Sequence, residues 1–175
     1  YAALSTDRER GAAYATKIYG DKRVVKEPLY EDGQTGINRL YNNAVKLEQR
    51  GIPVIKHQLC DSVVEMPFIH DETLMQFMLR NNERQDIVEK LIERVYNYII
   101  ISSVSAPPEK NIMLHYAPDI DWGIILSEAY LDMIPFNCFY NGTEMAFFDQ
   151  EFCVENCPAK YVVFRMLRYV DLSMK

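Results

Sequence analysis

The hydrophobic positions change period along the chain, and the changes mark out its elements. Residues 12–18 and 23–27 are two short runs with strand character. They are joined by Tyr19-Gly20-Asp21-Lys22, a turn-rich connection suited to a hairpin. Over residues 34–50 the period becomes helical: Ile37, Leu40, Tyr41, Ala44 and Leu47 recur at the spacing of one helix face, with Asp32-Gly33 before and Gly51 after as start and stop signals. Residues 53–59 and 63–66 read as a second strand pair around Cys60-Asp61-Ser62, and Pro67 interrupts the pattern before polar His70-Asp71.

Beyond that point helices take over. Residues 72–79 read as a short helix, Asn81-Asn82 as a break, and residues 83–101 as a long helix with Ile87, Leu91, Val95, Tyr98 and Ile99 along one side. Ala106-Pro107-Pro108-Glu109-Lys110 is a loop, and residues 112–130 do not divide cleanly between helix and irregular chain. Residues 138–140 and 144–148 flank Asn141-Gly142, the strongest short hairpin signal in the sequence. After Pro158, Val162, Val163, Met166 and Leu167 form the apolar stripe of a last helix. The expected class is α+β: a small antiparallel sheet with one helix over residues 1–68, and a mainly helical part carrying the Asn141-Gly142 hairpin over residues 69–175.

Composition narrows the function classes. With 175 residues, 49% hydrophobic and 12% aromatic, the chain has material for one sizeable core and none of the marks of disorder. Its 25 carboxylates against 19 Lys and Arg, without a basic stripe, argue against nucleic-acid or anionic-membrane binding. Cys60, Cys138, Cys153 and Cys157 contain no Cys-x-x-Cys pair, and His57, His70 and His115 stand far apart, which argues against a zinc site or a disulfide framework. The longest apolar run, residues 98–104, is too short to cross a bilayer, and no signal-peptide layout opens the chain, so the expectation is a cytoplasmic protein without membrane insertion. A first residue Tyr1 and a helical pattern still running at Met174-Lys175 suggest a piece of a longer protein.

The residues that can carry chemistry lie in the second half. Tyr130-Leu131-Asp132-Met133-Ile134-Pro135-Phe136-Asn137 sets an Asp five positions before an Asn, and Asp149 follows twelve positions later, at the end of the predicted hairpin, with Glu151 two beyond it. This spacing resembles the catalytic loop and metal-binding Asp of protein and small-molecule kinases, whose phosphoryl transfer needs positioning and charge neutralisation more than covalent chemistry, so that a metal between phosphate oxygens must be held by rigidly mounted oxygen ligands. Asn137 and Asp149 on adjacent strands suit that task, and Asp132 suits the orientation or deprotonation of an acceptor hydroxyl. In the first half, Arg23-Val24-Val25-Lys26 ends a strand with a lysine placed before the helix, which looks like the kinase lysine that contacts the nucleotide phosphates.

The order of elements and these motifs resemble a bilobal protein-kinase-like domain, truncated at its C-terminus. The nearest group is bacterial, in the style of aminoglycoside, choline and lipopolysaccharide kinases, of the type attached to glycosyltransferase or methyltransferase domains in surface-polysaccharide assembly. Phe164-Arg165-Met166-Leu167 is similar to a helix that follows the acidic motif in that group. The resemblance implies ATP and Mg as cofactors, Asp132 as catalytic residue, Lys26 at the phosphates with Glu48 the only acid of the helix able to fix it, Asn137, Asp149 and Glu151 as metal ligands, and a glycan or small-molecule acceptor. It also implies a methyltransferase or glycosyltransferase domain in the same polypeptide, although these residues lack the glycine-rich turn that binds SAM.

The chain departs from the kinase pattern at named places. Tyr130 stands where a His is usual, no glycine occurs in Ser5-Thr6-Asp7-Arg8-Glu9-Arg10 before the first clear strand, and Asn42 and Asn43 hold the middle of the helix where a Glu is expected. Blander readings stay open beside the chemical one. Asp132 and Asn137 can be loop residues capping their own turn, Lys26 an exposed strand-end lysine, and Glu151 a solvated acid. At the level of the whole chain the alternatives are a catalytically inactive pseudokinase and a simple α+β interaction domain.

Overall fold

The computed structural model describes residues 2–5 and 8–173, with side chains through residue 170; Tyr1, Thr6, Asp7, Met174 and Lys175 lie outside the described residues. The predicted hairpin is present as β2 (Tyr14–Ile18) and β3 (Arg23–Pro28). Its turn closes through Tyr19 N–H donating to Arg23 O at 2.9 Å, with Lys22 in the left-handed region at φ 64°. A further strand, β1 (Ala2–Leu4), pairs antiparallel with β2 ahead of it, so the hairpin does not open the chain as its pattern predicts.

The predicted helix is α1 (Gln34–Gln49), and its buried stripe of Ile37, Leu40, Ala44 and Leu47 is at most 2% exposed. Gly36 lets it approach the sheet, since a Cβ there would lie 1.8 Å from the Tyr14 hydroxyl. After α1 come β4 (Gln58–Cys60) and β5 (Val63–Pro67), which complete a five-stranded antiparallel sheet in the order β1-β2-β3-β5-β4. The predicted strand over residues 53–59 is shorter than its pattern. Pro53 has no N–H to give a ladder, and the backbone of residues 53–55 pairs elsewhere, as described below.

The second part starts with β6 (Glu72–Thr73) and α2 (Leu74–Arg80), where Thr73 and Gln76 form a reciprocal cap. Helix α3 (Gln85–Ile101) follows, then β7 (Ser105–Ala106) and a run of turns to residue 124. The remaining elements are β8 (Ile125–Tyr130), β9 (Cys138–Tyr140), β10 (Met145–Phe147), β11 (Cys153–Pro158) and α4 (Ala159–Ser173). They make two three-stranded antiparallel sheets, β10-β9-β6 and β11-β8-β7. The pairing of β8 with β11 escapes the sequence pattern. Ile125-Leu126 and Ala129-Tyr130 are buried at both ends of β8 instead of alternating, and Asn156, at φ 52°, interrupts the ladder of β11.

The protein is thus α+β, with antiparallel sheets and four α-helices among the described residues. No helix among them is long and apolar enough to cross a membrane. Two apolar clusters form. The smaller gathers Tyr14, Ile37, Leu40, Ile55, Val64 and Met66 under the five-stranded sheet. The larger gathers the inner faces of α2, α3, α4 and β8 to β10, together with Leu47 and Ile52. The chain ties them together where Phe147 N–H donates to Pro53 O at 2.8 Å and Ile55 N–H donates to Phe147 O at 2.9 Å.

Candidate active site

The Asn141-Gly142 turn explains the placement of the site. The Asn141 side chain accepts from the N–H groups of Thr143 (3.0 Å) and Glu144 (2.8 Å), and Gly142 sits at φ 94°, a conformation natural to glycine. The hairpin register that results sends Cys138, Tyr140, Met145 and Phe147 into the larger core and leaves Phe139, Ala146 and Phe148 facing the five-stranded sheet. Phe148 N–H still bonds Asn137 O at 2.9 Å, and the chain then reverses at Asp149, a non-glycine residue at φ 58°. A backbone held there by its surroundings is a common mark of a functional turn.

Residues 130–137 and 148–152 are locked to each other. Gln150 is fully buried, and its amide donates to Asp132 O (2.9 Å) and Phe148 O (2.8 Å). Asp132 in turn accepts through Oδ2 from the N–H groups of Phe152 (2.9 Å) and Glu151 (3.2 Å), while Asn137 Nδ2 reaches Asp132 O at 3.4 Å. Arg165 of α4 donates to Leu131 O at 3.0 Å and lies 3.6 Å from Asp132 Oδ1. Burial pushes the Asp132 carboxyl above its ordinary range, and the two backbone N–H groups hold it back.

Lys26 meets this unit from the opposite side. It lies on β3, the central strand of the five, with Thr16 of β2 and Val64 of β5 beside it, which is why it is only 5% exposed. Its ammonium forms ion pairs with both Asp149 and Glu151. Burial alone disfavours the charged lysine, but the two carboxylates outweigh it and hold its pKa above the ordinary lysine value. Burial raises Glu151 as well, against the pull of Lys26. Arg8, from the connection between β1 and β2, adds a 2.6 Å ion pair to the outer oxygen of Glu151. Asn43 of α1 donates to Gln150 O at 2.8 Å and so braces the same turn.

Three openings meet at these residues. An apolar cavity of about 380 Å³ has Thr16, Ile18 and Val24 on one side and the stacked rings of Phe139 and Phe148 (centroids 4.3 Å apart, planes at 21°) on the other. Pro67, Phe68 and Ile69 line it too, and Lys26 and Asp149 belong to its wall. A second opening of about 170 Å³ shares Thr16, Lys26 and Asp149 with the first and adds Ser5 and Arg8. A third, of about 210 Å³, is lined by Arg8, Asp132, Asn137, Asp149, Glu151 and Arg165.

Five of the residues expected from sequence, Lys26, Asp132, Asn137, Asp149 and Glu151, therefore come together. Glu48 does not join them: it is exposed in the last turn of α1, and the expected task of fixing Lys26 falls to Asp149 and Glu151. Asp132 is tucked beneath its loop, 6% exposed, because the turn at 150–152 needs its carboxylate as a hydrogen-bond acceptor. Lys26 is a buried, paired lysine and Glu151 a buried acid, so the reading of either as a solvated surface charge fails. Tyr130 is a core residue, 1% exposed. Arg8 and Asn43 enter the sequence reading only as departures from the kinase pattern, not as site residues, because neither belongs to an apolar stripe; Arg165 is visible in it only as part of Phe164-Arg165-Met166-Leu167.

No protein-family model matches the chain, and no curated protein matches it in sequence. The site must be read from its own chemistry.

Among the described residues no three His, Cys, Asp or Glu side chains surround a common point, so a cage made by protein alone is absent. Mg, however, is usually held by one or two carboxylates plus substrate phosphates and water. Asp149, Asn137 and Glu151 line one opening with hard oxygen donors, and they fit a metal that arrives with a phosphate ligand.

Proposed function

We propose that this chain is a kinase-like phosphotransferase domain that, with ATP and Mg, phosphorylates a hydroxyl of a glycan or other small molecule. The observation that carries the reading is the meeting of Lys26 with Asp149 and Glu151 at the end of an apolar cavity, with Asp132 and Asn137 in the adjoining opening. A nucleotide base is flat and apolar-faced, and the space beside the stacked Phe139 and Phe148 rings suits it. From there Lys26 reaches the phosphates, as the strand lysine of kinases does. Asp149 and Asn137 would hold the metal, which supplies neutralisation of the phosphate charge. Asp132, kept from full exposure and raised in pKa, orients an acceptor hydroxyl and receives its proton. The two separate apolar clusters support a bilobal arrangement, with its boundary proposed near residue 68.

A second reading has its own supporting observation. Each carboxylate of the site already has a cationic neighbour, Lys26 for Asp149, Lys26 and Arg8 for Glu151, and Arg165 for Asp132. A site so balanced can persist without ligand, as in a pseudokinase or interaction module serving a linked methyltransferase or glycosyltransferase domain. Thermal unfolding with and without ATP and Mg separates the two. A ligand that binds only the folded state adds about 2.7 kcal/mol at a hundred times its Kd, which is several degrees in Tm for a domain of this size. The phosphotransferase reading expects that shift in the wild type and its loss in Asp149→Ala. An unchanged Tm at millimolar nucleotide selects the second reading.

A further inference from the structure

We propose that Arg8 binds the terminal, transferable phosphoryl group, in place of the glycine-rich backbone turn that covers the phosphates in kinases. This rests on the phosphotransferase reading and adds to it the residue that distinguishes a triphosphate from a diphosphate.

The order of the openings carries the argument. The apolar cavity and the second opening share Lys26 and Asp149; the second and the third share Arg8 and Asp149. A polyphosphate that starts at a base in the apolar cavity and ends beside Asp132 passes Lys26 first and then runs between Arg8 and Asp149. The group nearest Asp132 is the one to be transferred, and Arg8 is the cation that lines the space on both sides of it.

The side chain is equipped for that contact. A guanidinium offers five N–H donors in a planar fork that matches phosphate oxygens. Arg8 gives Nη1 to Glu151, and its side chain is 40% exposed toward the two openings. The chain before and after it has its own ties: Ser5 Oγ both accepts from Tyr14 N–H (3.0 Å) and donates to Tyr14 O (3.1 Å), and a short 3-10 turn spans Arg10–Ala12. Glu151, 3% exposed, keeps the guanidinium over the site until a phosphate replaces its carboxylate as partner. A glycine turn covers phosphates with backbone N–H groups that a Cβ would keep away; a long cationic side chain does so without that requirement.

The test is calorimetric binding, in Mg-containing buffer, of a non-hydrolysable ATP analogue, ADP and adenosine to the wild type, Arg8→Gln and Arg8→Lys. Arg8→Gln is expected to weaken the triphosphate by roughly ten- to a hundredfold, the range of a hydrogen bond to a charged group, and to leave ADP and adenosine within about twofold of wild type by the same reasoning. Arg8→Lys should fall between, keeping the charge and losing the fork. Unchanged adenosine binding also shows that each variant is folded. Equal losses for ATP analogue and ADP, or no loss for either, overturn the assignment of Arg8 while the nucleotide reading stands. A wild type that binds none of the three probes overturns both.

Discussion

The ion pairs of Lys26 lend themselves to a double-mutant cycle. Lys26→Met replaces the ammonium by an apolar chain of similar length. Removing one partner of a fully buried pair costs about 3–5 kcal/mol, because the other charge is left uncompensated. Here the loss is softened: Glu151 keeps Arg8, and the Asp149 side chain is 31% exposed. The expected cost is about 2–3 kcal/mol, or about 4–12 °C in Tm for a domain of this length. Glu151→Gln leaves Lys26 paired with Asp149 and is expected to cost about 1–2 kcal/mol. The double variant removes the lysine and the acid it compensates together, so it should be less damaged than the sum of the singles by at least about 1 kcal/mol. Urea unfolding at neutral pH measures all four proteins. Additivity within about 0.5 kcal/mol would refute the direct coupling of Lys26 to Glu151, and with it the view that the turn after β10 is held in place from β3.

Two further outcomes test other parts of the description. Asp132 has its folded pKa raised by burial above the ordinary 3.8. The folded state therefore holds a proton the unfolded state releases, so this residue's contribution is complete below that value and lost as pH rises through the folded pKa. Asp132→Asn removes that decline: urea midpoints from pH 3 to 7 should gain on the wild type as pH rises, and a gap that narrows instead contradicts the assignment. Gly36→Ala sets a Cβ 1.8 Å from the Tyr14 hydroxyl in a tightly packed place and should cost about 1–3 kcal/mol; adding Tyr14→Phe should restore most of it, and a cost that persists in the double variant points to the backbone instead.

How much of this the sequence discloses depends on whether the determining interactions are local. The β2–β3 hairpin, α1, α3 and the Asn141-Gly142 hairpin follow from turn chemistry and period, which act within a few residues. Strand β11 does not, because its partner β8 lies more than twenty residues upstream and Asn156 breaks its alternation. In the site, Asp132, Asn137 and Asp149 are legible as a spacing and Lys26 as a strand-end lysine. Their convergence depends on β3 being the central strand, which only the order of the whole sheet decides. Glu48 fails as a partner for Lys26 for the same reason. Proximity in sequence to the helix end says nothing of which turn of α1 faces the site, and the residue of α1 that does reach it, Asn43, bonds the backbone of Gln150 and Glu151 instead of the lysine.

Gln150 has a consequence for how this protein can change over generations. Its single side chain joins the loop at residues 130–137 to the turn at residues 148–152, while the Asp132 carboxylate makes the return connection. A lineage cannot reshape one without disturbing the other. Descendants that alter position 132 should carry a matching change at position 150, whereas position 165, attached to the unit from outside, is free of that coupling. Change is thereby channelled toward the surroundings of the unit, and the central unit is inherited whole or lost whole.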